Sequence, residues 1–205
     1  MAEEVTFVHI PKTGGSSFIG EKNINYAGHK NGNDALLIFP DTDILFAVLR
    51  NPMERFVSTY NYVRMPNSIW HKSGSNTEHP DFNTIIDRDL NYVVRRFFLS
   101  QVARKLGMKV SPYLTGLHWN KQHAYLLGAR RVRFYVVSQA RLNDGLSNLA
   151  QVLPAIPTTV GRSNVSVDKG SRLHWTSRLL LGVIYYRDFI LYKKLKSSSS
   201  GWMRV

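Results

Sequence analysis

The stretch Thr6-Phe7-Val8-His9-Ile10-Pro11-Lys12-Thr13-Gly14-Gly15-Ser16-Ser17-Phe18-Ile19 decides how this chain is read. Its first five residues are a β-rich run ended by Pro11. A glycine-containing turn follows, and Ser16-Ser17 ahead of Phe18-Ile19 marks a helix start. The same grammar recurs further along. Asp43-Ile44-Leu45-Phe46-Ala47-Val48-Leu49 is apolar almost throughout, as expected of a strand buried on both faces of a parallel sheet. That run ends at Arg50, and Asn51-Pro52-Met53-Glu54 opens a helix. Asn51 is its expected N-cap, Pro52 its first residue and Glu54 the returning capping-box carboxylate. The helix is expected to reach about Arg64.

Outward from these two units, residues Met65 to Phe82 lose periodicity and read as a long loop. Asp89 to Leu106 recovers helical spacing, with Val93, Val94, Phe97, Phe98 and Val102 as its apolar side. Arg133 to Val137 reads as a strand, and Leu142 to Leu153 as the helix after it. Val160 to Leu173 is a polar, basic loop, and Trp175 to Lys196 reads as one closing amphipathic helix. The expected organisation is one domain over residues 1–196, with 197–205 as a flexible C-terminal tail. Strands alternating with helices predict an α/β fold: a central parallel β-sheet flanked by helices.

Composition narrows the partners. Of 205 residues, 27 are Lys or Arg and 14 are Asp or Glu, a formal net charge of +13. That excess favours anionic ligands: nucleotides, charged glycans, nucleic acid or acidic membranes. The chain has no cysteine, so disulfides, thiolate metal sites and cysteine nucleophiles are excluded. The apolar stretch Leu179–Tyr192 is interrupted by Arg187 and Asp188, too short and charged for a transmembrane span. With no leader-like segment at the start, a cytoplasmic location is expected.

The Pro11–Ser17 turn carries the chemistry. Backbone N–H groups of such a turn form an anion cradle. Gly14 and Gly15 let the backbone approach the anion. Lys12 adds a positive charge, and Thr13, Ser16 and Ser17 add hydroxyl donors. A kinase or GTPase loop reads G-x-x-x-x-G-K-[ST], with its lysine after the last glycine. Here Lys12 precedes the glycines.

His9-Ile10-Pro11-Lys12-Thr13-Gly14-Gly15-Ser16-Ser17 resembles the 5′-phosphosulfate loop of sulfotransferases, in particular the carbohydrate-type branch that includes heparan sulfate 2-O-sulfotransferases. Leu49-Arg50-Asn51-Pro52-Met53-Glu54-Arg55-Phe56-Val57-Ser58-Thr59-Tyr60 is similar to that family's 3′-phosphate motif, R-[DN]-P-x-x-R-x-x-S-x-Y. Gln122-His123-Ala124-Tyr125-Leu126 is similar to a Q-x-x-Y-L segment of the family, and Trp175–Leu195 to its closing helix, with Asp188 and Tyr192 in familiar places.

The resemblance implies a P-loop NTPase-like sulfotransferase fold and an enzyme transferring a sulfuryl group from 3′-phosphoadenosine 5′-phosphosulfate (PAPS) to a hydroxyl acceptor. The product nucleotide would be adenosine 3′,5′-bisphosphate (PAP). It implies that Pro11, Lys12, Thr13, Gly14, Gly15, Ser16 and Ser17 hold the 5′-phosphosulfate and that Arg50 and Ser58 bind the 3′-phosphate. The nucleotide is expected across the carboxyl ends of the strands. The expected acceptor is a glycan or glycolipid hydroxyl.

The reaction needs a base for that hydroxyl and positive charge at the leaving phosphate. Lys12 suits the second need. His29 is the candidate base, from a G-H segment in the interval where the 2-O-sulfotransferase pattern has one; Ala27 stands where a second histidine is often found. His71, His79, His118, His123 and Glu78 are the alternatives. Lys169 and Gly170, with Arg162-Ser163, belong to a late basic loop of the kind other sulfotransferases close over the nucleotide. Arg95, Arg96, Arg104 and Lys105 are candidates for an anionic glycan groove. No metal is expected, since histidine spacings match no metal pattern.

Three rival readings stand beside this one. A nucleotide kinase is opposed by the position of Lys12 and by the lack of a Mg²⁺-binding motif. A basic nucleic-acid-binding protein is opposed by the lack of a recognition motif. A sulfotransferase-like protein without catalysis shares every feature named.

Overall fold

A computed structural model of the chain describes residues 3–65, 81–109, 113, 114, 116–128, 130–161 and 171–205. In chain order its elements begin with β1 (Val5–Val8), a 3-10 turn (Gly15–Phe18), β2 (Asn25–Tyr26), α1 (Gly32–Ile38), β3 (Ile44–Leu49) and α2 (Pro52–Val63). Next come α3 (Phe82–Ile85), α4 (Leu90–Lys105) and 3-10 turns at Leu117–Trp119 and Gln122–Leu126. They end with β4 (Arg133–Ser138), a 3-10 turn (Gln139–Arg141), α5 (Leu142–Ala150), α6 (Trp175–Ile184), α7 (Tyr186–Ser197) and β5 (Trp202–Arg204).

These elements gather into two compact units. One holds Met1–Asn51, Lys121–Val165 and Arg187–Val205, the other Pro52–Asn120 and Ser166–Tyr186. Each unit is assembled from separated stretches, so no linker in the sequence marks the division.

The first unit is mixed α/β. Among the described residues its sheet has five strands in the order β2-β1-β3-β4-β5, parallel except for the antiparallel β4–β5 pair. The expectation of a mainly parallel sheet flanked by helices is met. β3 shows why. All six of its residues are buried, and their alternation feeds two cores. Ile44, Phe46 and Val48 join Phe7, Phe18, Leu146 and Leu149 in one. Leu45, Ala47 and Leu49 join Val8, Ile10, Phe134 and Leu195 in the other.

Four expectations need correction. The helix expected after Gly14-Gly15 is a single 3-10 turn, because the chain goes extended at Ile19. The closing helix is two helices, interrupted at Tyr185 (φ −103°, ψ 25°). There the Tyr185 side chain turns inward and its hydroxyl donates to the Trp119 carbonyl at 2.7 Å. The expected tail 197–205 instead contains β5, with Trp202, Met203 and Arg204 paired to Val137, Val136 and Tyr135. Gly201, at φ +77°, makes the turn that allows this return. Val102, expected in the core, is on the exposed side of α4.

The second unit is helical among its described residues. Asp89 caps α4 by accepting from the Asn91 and Tyr92 N–H groups, close to the expected start. Phe56, Phe97, Trp119 and Tyr185 form its aromatic centre, with Phe56 and Trp119 rings 4.9 Å apart. Residues 66–80 and 162–170, parts of the two expected loops, lie outside the described residues.

Candidate functional site

The site candidates of the first unit converge because of strand order. β1 and β3 are adjacent and parallel, with Val8 opposite Ala47. The chain therefore leaves β1 into His9–Ser17 and β3 into Arg50 at the same end of the sheet. β2, also parallel to β1, leads to Gly28 and His29 at that end. The direction of strand order reverses between β1 and β3, and open α/β sheets bind ligands outside the carboxyl ends at such a point.

Two cations meet there. An Arg50 Nη1 hydrogen donates to the Lys12 carbonyl at 3.4 Å. Lys12 is the tighter of the two. Its φ is +66°, a left-handed conformation that costs a side-chain-bearing residue about 1–2 kcal/mol. Burial first, and the Arg50 charge second, push its ammonium down from 10.5 to about 8. At ~1.4 kcal/mol per pH unit, keeping this lysine charged costs on the order of 3 kcal/mol. A strained, desolvated cation beside a second cation is relieved by one kind of ligand, an anion.

The glycines do more than was expected. Gly14 has φ +93°, a conformation that excludes most other residues. At Gly15 a Cβ would lie 2.2 Å from the His9 ring. Its smallness serves the close approach of an imidazole as well as of a ligand. Two of the expected hydroxyl donors are engaged within the protein. Thr13, fully buried, donates to the Ile10 carbonyl at 2.8 Å, and Ser17 to the Gly161 carbonyl at 2.6 Å. Pro11 is buried and Ser16 half-buried.

His29 and His9 form a pair. Their ring centroids are 4.3 Å apart. His29 is exposed, and its Nδ1 lies 2.9 Å from the His9 carbonyl. A carbonyl only accepts, so Nδ1 bears the proton of the neutral ring and Nε2 is its basic nitrogen. His9 is buried, bonded through Nδ1 to the Tyr26 hydroxyl. Burial above all, then the neighbouring His29 and Lys12, push its pKa down to about 3. It stays neutral near pH 7 and serves as a rigid wall behind His29. The histidine beside His29 thus comes from the end of β1, while position 27 is alanine. Nothing local in the sequence signals that meeting.

Arg50 is braced from behind, a feature that sequence reasoning did not foresee. Gln122 grips both backbone polar groups of Arg50: the Arg50 N–H donates to Gln122 Oε1 at 3.0 Å, and Gln122 Nε2 donates to the Arg50 carbonyl at 2.8 Å. The buried Asp188 carboxylate, on α7, fixes Gln122 in turn. It accepts from the backbone N–H groups of Gln122 (2.7 Å) and His123 (2.9 Å) and pairs with the His123 ring (2.6 Å).

The remaining candidates fall elsewhere. Ser58 is on α2 in the second unit and buried. Arg55 is buried in that unit and donates to the carbonyls of Asn120 and His118 at 2.7 and 2.9 Å. These two bonds brace the chain just ahead of Lys121. His118 is buried and His123 is tied to Asp188. Arg95, Arg96, Arg104 and Lys105 are exposed on α4. His71, Glu78, His79, Arg162, Ser163, Lys169 and Gly170 lie outside the described residues. Among the described residues no group of three or more His, Cys, Asp or Glu could hold a metal ion, and no helix is long and apolar enough to cross a membrane. No protein-family model matches the chain, and no curated protein or solved structure is significantly similar to it.

Proposed function

We propose that the chain is a sulfotransferase that uses PAPS as donor. The observation that carries this reading is Lys12, strained and desolvated, beside Arg50 at the β1/β3 end of the sheet. The 5′-phosphosulfate and 3′-phosphate motifs supply those two residues in the order that the family resemblance requires.

In the reaction the acceptor oxygen attacks sulfur in line. A new O–S bond forms as the bond from sulfur to the 5′-phosphate oxygen breaks. The hydroxyl proton passes to Nε2 of His29. Lys12 and the loop N–H groups stabilise charge on the transferring group and the departing phosphate. Arg50 takes the 3′-phosphate; Ser58 enters on the motif alone. The products are a sulfate ester and PAP. Positioning and electrostatics carry the catalysis, as in phosphoryl transfer, and no residue in this scheme requires a metal. The resemblance favours a glycan or glycolipid hydroxyl as acceptor.

Thermal unfolding in the presence of PAP, AMP or ATP tests the reading. The bisphosphate should raise the melting temperature clearly more than equal concentrations of AMP or ATP. A larger shift with ATP would favour the kinase reading. No shift with any nucleotide, together with steeply salt-dependent binding to arbitrary DNA or RNA, would favour the nucleic-acid reading.

A further inference from the structure

The outward faces of α4 and α6, which pack against each other in the second unit, are not the polar surfaces such helices normally present. Their inward sides are accounted for: Val93, Val94 and Phe97 on α4 and Leu181 on α6 are buried. On α6 and just past its end, Trp175, Leu179, Val183 and Tyr186 are 76%, 62%, 61% and 64% exposed. Their spacing of four, four and three residues puts them in one stripe. On α4 and just past its end, Leu99, Val102 and Leu106 are 57%, 36% and 71% exposed at spacings of three and four.

Scattered exposed apolar residues are ordinary, but stripes of this kind mark contact surfaces. Neither helix contains an acidic residue, while Arg95, Arg96, Arg104, Lys105 and Arg178 are all exposed on them.

We propose that the α4–α6 pair is a peripheral docking face for the surface of a bilayer containing anionic lipid. Charge and hydrophobicity select this occupant together. A second copy of the chain would bring these arginines against their like, in a molecule of net charge +13. A polyanionic glycan or nucleic acid would match the arginines and leave the apolar stripes in water. Anionic headgroups over acyl chains satisfy both, with the basic side chains at headgroup level and the stripes just below. Trp175 and Tyr186, at the two ends of the α6 stripe, are the residue types that favour that interface. The inference is independent of the sulfotransferase reading.

Co-sedimentation of the full chain with vesicles tests it. The protein should pellet with vesicles of phosphatidylcholine and phosphatidylserine and far less with phosphatidylcholine alone. The double substitution Trp175→Ser, Leu179→Ser should weaken that binding by about tenfold or more, and so should Arg95→Glu, Arg96→Glu. All four side chains are exposed, so both variants should melt as the wild type does. Absence of binding to the anionic vesicles would overturn the proposal. So would a Trp175→Ser, Leu179→Ser variant that binds as wild type, since charge alone would then explain the attraction. A wild-type dimer by light scattering that the same variant dissociates would overturn it in favour of self-association.

Discussion

The sheet of the first unit is positive at both ends, and the two ends differ in kind. At the amino ends of the strands, Thr42, Asp43, Arg130, Arg131, Val132, Arg133 and Arg204 line a cleft of about 370 Å³. Arg130, Arg131 and Arg204 are exposed, and Arg133 pairs with Glu3. Those cations are exposed or already paired, and none of them has a left-handed backbone. At the carboxyl ends, among the described residues, Lys12 and Arg50 meet, and Lys12 is in a left-handed conformation with its pKa lowered to about 8. A count of charges among the described residues would choose the amino end. Stored strain and desolvation choose the other, because they are costs that a bound anion removes.

The two cations of the carboxyl end are also held differently. Lys12 is held by burial and backbone strain, Arg50 by the Gln122 amide and the Asp188 carboxylate behind it. Substitutions should separate these modes. The largest effect belongs to Lys12→Met, which keeps the aliphatic stem and removes the charge. Turnover from PAPS should fall by about a hundredfold to a thousandfold, while the melting temperature holds or rises. A variant with near-normal turnover would remove Lys12 from the mechanism.

Asp188→Asn should do the reverse. The amide leaves buried N–H donors of Gln122 and His123 poorly matched, costing about 2–3 kcal/mol of stability in chemical denaturation. Affinity for PAP should weaken more than affinity for AMP, since the loss is relayed through Gln122 to Arg50. Unchanged stability would show that the brace carries no load.

The acidity of Lys12 adds a smaller, signed effect. Below about pH 8 the folded protein keeps this lysine protonated, and above it the charge is lost. Affinity for PAP should be flat between about pH 7 and 8, where its phosphates are ionised, and fall by up to about tenfold per unit above that range. Stability of the free protein should move the other way. Between about 8 and the ordinary value of 10.5 the unfolded chain holds a proton that the folded one has released, so the Lys12 contribution to stability rises with pH. Both trends should vanish in Lys12→Met. A pH-independent affinity in the wild type would mean that Lys12 does not meet the ligand.

What was legible in the sequence follows from how local each signal is. β3 announced itself because six buried residues on two faces need an unbroken apolar run. α2 and α4 began where Pro52 and Asp89 begin them. The Lys12 loop was legible as a motif, though its left-handed lysine was not. The rest depends on distant partners. β2 is two residues long and exists by pairing with β1. β5 takes its register from β4, so a serine-rich approach disguised it. The His9–His29 pair and the Gln122 grip on Arg50 join positions 20 and 72 residues apart. The break at Tyr185 involves no proline and comes where that side chain turns into the aromatic centre.

The most direct test of the central claim is calorimetric titration of the wild type and Arg50→Ala with PAP and with AMP. If the carboxyl end of the sheet is the donor site, the wild type should bind PAP well above AMP. Arg50→Ala should lose that advantage and bind the two nucleotides about equally. A wild type that binds PAP no better than AMP, or an Arg50→Ala variant that keeps the full preference, would contradict the account.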